Sequence, residues 1–67
     1  MINELKEYRE VLLVNSLNYP NDKELFKKWD RCSDLIYYCE NLMARPGEWY
    51  EAKQLVKEFR EIKNERV

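Results

Sequence analysis

The sequence predicts an all-α fold, a three-helix antiparallel bundle with the second helix at its centre. Three amphipathic segments are separated by breaks near Pro20 and Pro46. The composition agrees, because good helix formers such as Glu, Lys and Leu are abundant while glycine occurs once. Short connections favour antiparallel neighbours, and a long hairpin with helix 1 loosely docked is the main competitor. We predict one domain, residues 1–67, with helices over residues 3–15, 22–44 and 48–64.

Helix 1 is predicted from Asn3, a good N-cap, to residue 14 or 15. At about 100° per residue, one apolar stripe contains Met1, Leu5, Tyr8 and Leu12. Leu13 and Val14 fall off this stripe, so either the helix ends there or a second surface covers them. Residues 15–20 are predicted to form a loop that ends at Pro20.

Helix 2 follows a predicted capping box, with Asn21 as the cap and Glu24 three residues later. Its apolar positions alternate spacings of four and three over Leu25, Trp29, Cys32, Ile36, Cys39 and Met43. Leu35 and Leu42 widen one side of this seam, and Phe26 and Tyr37 widen the other. A helix that is apolar over so broad an arc packs against two neighbours, which predicts the central position.

Helix 3 is predicted to begin just after Pro46 and Gly47, which end helix 2. Its buried stripe is predicted to contain Trp49, Ala52, Leu55, Val56, Phe59 and Ile62. Trp29, Trp49, Phe26, Phe59 and Tyr8 are all most simply interpreted as core aromatics.

The two cysteines are interpreted as small buried apolar residues on the helix 2 seam. Cys32 and Cys39 are separated by about 10.5 Å along an intact helix, whereas a disulfide needs about 4.4–6.8 Å between Cα atoms. Without histidine they also fall short of the four ligands of a structural zinc site. The alternative is that helix 2 meets its own copy antiparallel and brings Cys32 near Cys39 of that copy.

The chain length, the apolar runs, the N-terminal sequence and the net charge limit the classes of function. A chain of 67 residues buries only about 60% of its unfolded surface, so its core is thin and its stability marginal. Self-association is one way in which so small a domain gains stability. The longest apolar run, residues 11–14, is far too short for a membrane span, and the N-terminus lacks the features of a signal peptide. We therefore expect a cytoplasmic protein with no membrane contact. The net charge of −1, spread evenly along the chain, does not favour a nucleic-acid partner.

Catalysis is not predicted, because the chain has no histidine and neither Ser16 nor Ser33 has an activating context. Carboxylates are the remaining candidates, which leaves a carboxylate-based metal-dependent hydrolase as one alternative. Asp30 and Asp34 lie four residues apart on helix 2, and helix 3 carries Glu58, Glu61 and Glu65 on one face. In so charged a protein such acids are ordinarily a solvated face, so we predict no metal and no cofactor.

A basic stripe on helix 3, formed by Lys53, Lys57 and Arg60, gives a second alternative, a DNA-binding helical module. The simpler interpretation is that the aliphatic stems of these side chains cover the edge of the core. Readers of the major groove also need short side chains at the front of the helix, where this chain has Trp49 and Tyr50.

Our leading hypothesis is a small non-enzymatic regulatory or adaptor protein that binds another protein and forms a homodimer. Tyrosine and other large apolar groups outside the core stripes are the evidence, because such residues are enriched at interfaces. The candidate partner-binding residues are Val14, Leu17, Tyr37, Tyr38 and Tyr50.

One distant resemblance is confined to the first two helices. Tyr8-Arg9-x-x-Leu12, a polar loop and a helix with Asp34 are similar to the short helical-hairpin phosphatases of sporulation response regulators. Those proteins carry Ser-Gln-x-Leu-Asp, whereas the aligned segment here reads Asp30-Arg31-Cys32-Ser33-Asp34. Only the aspartate agrees and helix 3 has no counterpart, so we carry no function over.

Overall fold

The computed structural model describes the backbone of residues 1–65 and the side chains of residues 1–64. It contains three α-helices, α1 (Ile2–Asn18), α2 (Lys23–Glu40) and α3 (Pro46–Glu65). α1 and α2 form an antiparallel hairpin, and α3 packs against both of its helices. This arrangement confirms the all-α three-helix bundle with α2 at its centre. In the part of the chain described, no helix has the length and apolar character needed to cross a bilayer.

One buried cluster joins the three helices, and it matches the predicted stripes closely. Its members are Leu5, Tyr8, Leu12, Cys32, Ile36, Cys39, Ala52, Val56 and Phe59. The aromatic rings of Tyr8 and Phe59 stack with centroids 5.1 Å apart and form a packing contact between α1 and α3. Between α1 and α2 the Cys32 thiol lies 3.3 Å from the Leu5 carbonyl oxygen, to which it donates a hydrogen bond. Both cysteines are buried, as the sequence predicts.

α1 is longer than predicted, and the expected loop over residues 15–20 is mostly helical. The helix begins at Ile2 after Met1, not at Asn3, and continues to Asn18. Only Pro20 restricts this segment, because it biases the residue before it away from helical angles. Tyr19 accordingly leaves helical geometry, while its N–H still donates to the Asn15 carbonyl at 2.9 Å.

The cap of α2 lies one residue later than predicted. Asp22, not Asn21, is the N-cap, and its carboxylate accepts a hydrogen bond of 3.1 Å from the Glu24 N–H. The reason is the turn before it, in which the Asp22 N–H donates to the Tyr19 carbonyl at 3.0 Å. Asn21 therefore belongs to the turn, and Asp22 is the first residue free to cap the helix.

α2 ends at Glu40, four residues before the predicted end, so the third heptad of the seam is not completed. Leu42 has a φ of 55°, in the left-handed region. This geometry lets the Leu42 N–H donate to the Cys39 carbonyl and the Met43 N–H to the Tyr38 carbonyl, a Schellman motif. Leu42 and Met43, predicted to extend the apolar face of the helix, are therefore exposed.

α3 begins at Pro46, two residues before the predicted start. Proline is well suited to a first helical position, since the N–H it lacks would have had no partner there. The Trp49 N–H donates to the Arg45 carbonyl at 3.0 Å, and the Glu48 carboxylate accepts from the Arg45 N–H at 2.6 Å. Pro46 thus starts the third helix as well as separating it from the second.

Besides Leu42 and Met43, three side chains predicted to be buried or on an apolar stripe are exposed instead. Phe26 is 60% exposed, and Met1 and Tyr37 are also exposed. Phe26 lies about 100° around α2 from Leu25, which places it on the side of the helix turned away from α3. The prediction of Phe26 as a core aromatic is therefore wrong, whereas that of Tyr8 and Phe59 is confirmed.

The left-handed Leu42 gives a prediction about stability. Replacing it with glycine should raise the free energy of unfolding by about 0.5–1 kcal/mol, because glycine adopts this conformation without the steric cost of a Cβ atom. The Leu42 side chain is 85% exposed, so little packing is lost. Urea denaturation measures the change. Met43→Gly is the control, since Met43 does not have a positive φ, and a gain as large in that variant would contradict the prediction.

Candidate protein-interaction surface

An open groove of about 720 Å³ lies between the last turns of α1 and the first turns of α2. Its apolar lining, which we call the apolar groove, consists of Leu13, Leu17, Pro20, Phe26 and Trp29. Leu17 is 73% exposed, and Leu13 and Phe26 are exposed as well. The rim is polar and comes from Ser16, Asp22, Lys23 and Lys27.

The groove is open because α3 covers the opposite face of the hairpin. Leu13 and Leu17 lie one turn apart on the side of α1 that also carries Lys6. Glu4, Glu7 and Tyr8, on the other side of α1, contact α3. No residue of α3, over the side chains described, lines the groove.

Trp29 and Phe26 form the α2 wall of the groove. Their rings are tilted against each other with centroids 5.8 Å apart. Trp29 is partly buried and packs against the main core, whereas Phe26 projects outward. The indole N–H of Trp29 is buried without a hydrogen-bond partner among the described residues, and so is the hydroxyl of Ser33 one turn further on. The wall is therefore packed against the core at Trp29 and accessible to solvent at Phe26.

The predicted partner-binding residues are distributed over several surfaces. Leu17 lines the apolar groove, while Val14 is exposed on α1 outside it. Tyr37 is exposed, and its ring meets that of the partly buried Tyr38 edge to face at 6.0 Å. Tyr50 is exposed on α3 and does not line the groove. The structure brings together only Leu17 with the groove and Tyr37 with Tyr38.

Of the five residues of the apolar groove, only Leu17 is among the partner-binding residues predicted from the sequence. Phe26 was assigned to the core because it widens the apolar arc of α2. Leu13 is recognised in the sequence as lying off the stripe of α1, but the periodicity does not show that it lines a groove with residues of α2. The spacing of Leu13 and Leu17 by one turn was the available signal, since residues four apart share a face of a helix.

The basic stripe of helix 3 is partly used within the fold. The Arg60 guanidinium makes two hydrogen bonds, of 2.6 and 2.7 Å, to the Glu4 carboxylate of α1. This contact lowers the pKa of Glu4 and raises that of Arg60. Lys53 and Lys57 are exposed and belong to none of the ion pairs among residues 1–64. A DNA-binding surface on this stripe would therefore have only two uncommitted cations.

Two residues on the acidic flank of helix 3, Glu51 and Glu58, are likewise paired, in this case with α2. The Arg31 guanidinium binds both carboxylate oxygens of Glu51, with a shortest distance of 2.6 Å. The Glu58 carboxylate accepts hydrogen bonds from Lys28 at 2.7 Å and from the Tyr8 hydroxyl at 3.0 Å.

Of the carboxylates considered above as metal ligands, Glu58 is the one that joins these pairs. Among the described residues there is no group of three or more His, Cys, Asp or Glu side chains that could hold a metal ion. Asp30, Asp34 and Glu61 are exposed, and the side chain of Glu65 lies outside those described.

The cysteine thiols belong to the core and not to a reactive site. Burial raises the pKa of Cys32 to about 11 and also raises that of Cys39. The thiolate, the reactive form, is therefore suppressed at neutral pH. Both side chains face the core, so a disulfide between two folded copies is not compatible with this structure.

Comparison with known proteins gives no relative from which a function could be transferred. No family model matches the chain, and no curated protein or solved structure matches it significantly. The surface itself is thus the only basis for a functional argument.

The partly exposed carboxylate of Glu58, paired with Lys28 and Tyr8, gives a prediction about pH. Burial raises the pKa of Glu58, but the hydrogen bonds from Lys28 and Tyr8 outweigh it, so the pKa lies below its ordinary value of 4.5. A carboxyl whose pKa is lowered by folding stabilises the protein above the unfolded pKa, and this contribution is lost as the pH falls through the folded pKa. Glu58→Gln should therefore lower the free energy of unfolding by about 1 kcal/mol at neutral pH, and by clearly less at about pH 3.

Urea denaturation of both proteins at the two pH values tests this prediction. Glu61→Gln is the matched control, because Glu61 lies on the same helix and joins none of the ion pairs among residues 1–64. A loss of the same size at both pH values would show that charge at Glu58 does not contribute to stability.

Proposed function

We propose that this chain is a small non-enzymatic regulatory or adaptor protein, and that it binds another protein through the apolar groove between α1 and α2. The observation that carries the proposal is the contiguous exposure of Leu13, Leu17 and Phe26 around one concave surface. Single exposed apolar residues are normal on monomers, but a clustered apolar surface with a polar rim is typical of an interaction site.

The shape of the groove supports a helical occupant. Two helix ends with apolar side chains four residues apart form the kind of channel into which an amphipathic helix packs its own apolar face. The walls come from two helices that are fixed in the core by Leu12 and Trp29. The surface is therefore formed before the partner arrives, which reduces the entropic cost of binding.

The placement of the serine hydroxyls favours binding over catalysis. The chain has no histidine. The Ser16 hydroxyl donates to the Leu13 carbonyl at 2.8 Å within its own helix, and the Ser33 hydroxyl is buried. A cytoplasmic location is part of the proposal, and the two free thiols are compatible with a reducing compartment.

Substitution of one groove residue tests the proposal. Leu17→Glu places a charge where the partner is expected to bury apolar surface, and it should weaken binding by at least about tenfold. The immobilised chain is exposed to an extract of cells that express it, the retained proteins are identified by mass spectrometry, and affinities are then measured with the purified partner.

Leu42→Glu is the matched control, because Leu42 is as exposed as Leu17 and lies outside the groove. Circular dichroism establishes that both variants are folded. Retention of the same proteins with the same affinity by Leu17→Glu and by the unaltered chain would exclude the groove as the binding site.

A further inference from the structure

The outward face of α2 carries four charged residues in one line, which we call the charged stripe: Lys23, Lys27, Asp30 and Asp34. Their spacings of four, three and four place them on one stripe of the helix about 16 Å long. All four are exposed. Over the described side chains, Lys27 makes a single long contact of 3.7 Å with Glu24, and the other three join no ion pair.

The order of these charges opposes the local preferences of a helix. Lys23 and Lys27 occupy the first turns of α2, where the helix dipole favours acidic residues. Each like-charged pair is also spaced by four residues, which is mildly repulsive. Within the helix only Lys27, which lies three residues from both Glu24 and Asp30, has acidic neighbours on its own face, so the pattern is not the one that best stabilises an isolated helix.

The charged stripe is complementary to itself when it is reversed. If two α2 helices lie antiparallel, Lys23 of each copy faces Asp34 of the other, and Lys27 faces Asp30. Four Lys–Asp ion pairs then form across a two-fold axis that passes between Lys28 and Trp29. The two-fold geometry requires such a self-complementary surface, because the same residues must meet on both copies.

The same register brings an aromatic ring to the apolar groove. Tyr37 lies three residues beyond Asp34, and Pro20 lies three residues before Lys23. In the antiparallel pair Tyr37 of one copy therefore lies just beyond Lys23 of the second copy, beside the turn before its α2, in which Pro20 lines the groove. Tyr37 is exposed, and it lies on the same side of α2 as Phe26.

The accessible surface and the radius of gyration of the chain are both larger than those of a typical compact monomer of this size. Its accessible surface is 5102 Å², whereas a folded monomer of 8.3 kDa has about 4,600 Å². Its radius of gyration is 12.0 Å against about 11 Å for a compact domain of this length. The molecule is flat, 33 × 27 × 16 Å, and a standard interface needs about 800 Å² from each partner.

We propose that a second copy of this chain occupies the apolar groove, in a two-fold dimer in which the charged stripes of α2 pair antiparallel and each Tyr37 enters the groove of the other copy. This inference rests on the proposed function of the groove as a protein-binding site, and it adds the identity and the orientation of the occupant.

Charge reversal in two complementary variants tests the dimer. Lys23→Glu with Lys27→Glu makes the stripe wholly acidic, and Asp30→Lys with Asp34→Lys makes it wholly basic. Like charges then face each other in each homodimer, so its dissociation constant should rise at least about tenfold. An equimolar mixture of the two variants should form a heterodimer with an affinity near that of the unaltered protein.

Sedimentation velocity at low ionic strength measures each species, and native mass spectrometry identifies the heterodimer. The variant with all four reversals should form a homodimer again, because the complementary pattern is restored. Circular dichroism shows whether each variant is folded, and the recovery of affinity in the mixture and in the fourfold variant cannot arise from unfolded protein.

Three results would overturn the inference: a monomer at all concentrations of the unaltered protein, a dimer whose affinity the double variants leave unchanged, or no recovery on mixing. These results concern the pure chain alone. If they occur while Leu17→Glu still abolishes capture of a different protein, the proposed function of the groove stands and only the second copy as its occupant is excluded.

Discussion

A third helix can cover only one face of a two-helix hairpin, and this constraint determines both the core and the free surface of the molecule. Leu5 and Cys32 meet where α1 and α2 pack together, and Val56 and Phe59 close the core from the side of α3. α2 is apolar over a broad arc, and such a helix needs two neighbours. On the face away from α3 neither α1 nor α3 covers α2 near Phe26, and the apolar groove remains open there.

The charges of α3 agree with the face on which it packs. Its acidic flank lies beside α2 and pairs Glu51 with Arg31, while its basic flank lies beside α1 and pairs Arg60 with Glu4. Packing on the opposite face of the hairpin would exchange the flanks and bring the acidic side of α3 beside α1. Each exposed pair contributes only about 0–1 kcal/mol. Their combined effect is to favour the observed face of the hairpin over the opposite one.

The free face combines the two properties that recognition requires. Leu17 and Phe26 provide apolar area that water solvates poorly, and the charged stripe beside them provides orientation. Apolar burial supplies most of the affinity at an interface, whereas charge complementarity fixes register and excludes the wrong partners. Because the core is small, any partner that bound the folded state would also raise the stability of the chain.

The sequence by itself determined the helical class, the order of the helices and nearly all of the core. The helical period of the apolar residues and the composition are enough to predict the core, because any packing of the three apolar stripes against each other buries residues such as Leu5, Ile36 and Phe59. The ends of the helices were less predictable. Leu42 leaves the helix because two carbonyl groups of the last turn bind the N–H groups that follow it, and this local competition is not visible in an apolar pattern that continues to Met43.

Only the tertiary structure decided which apolar residues remain in solvent and which charges are used. Phe26 and Leu35 both lie beside the seam of α2 in sequence, yet Leu35 is buried and Phe26 is exposed. The difference is the side on which α3 packs, a choice between two faces that one-dimensional periodicity does not contain. For the same reason Arg60 is engaged by Glu4, while the charged stripe of α2 is exposed to solvent.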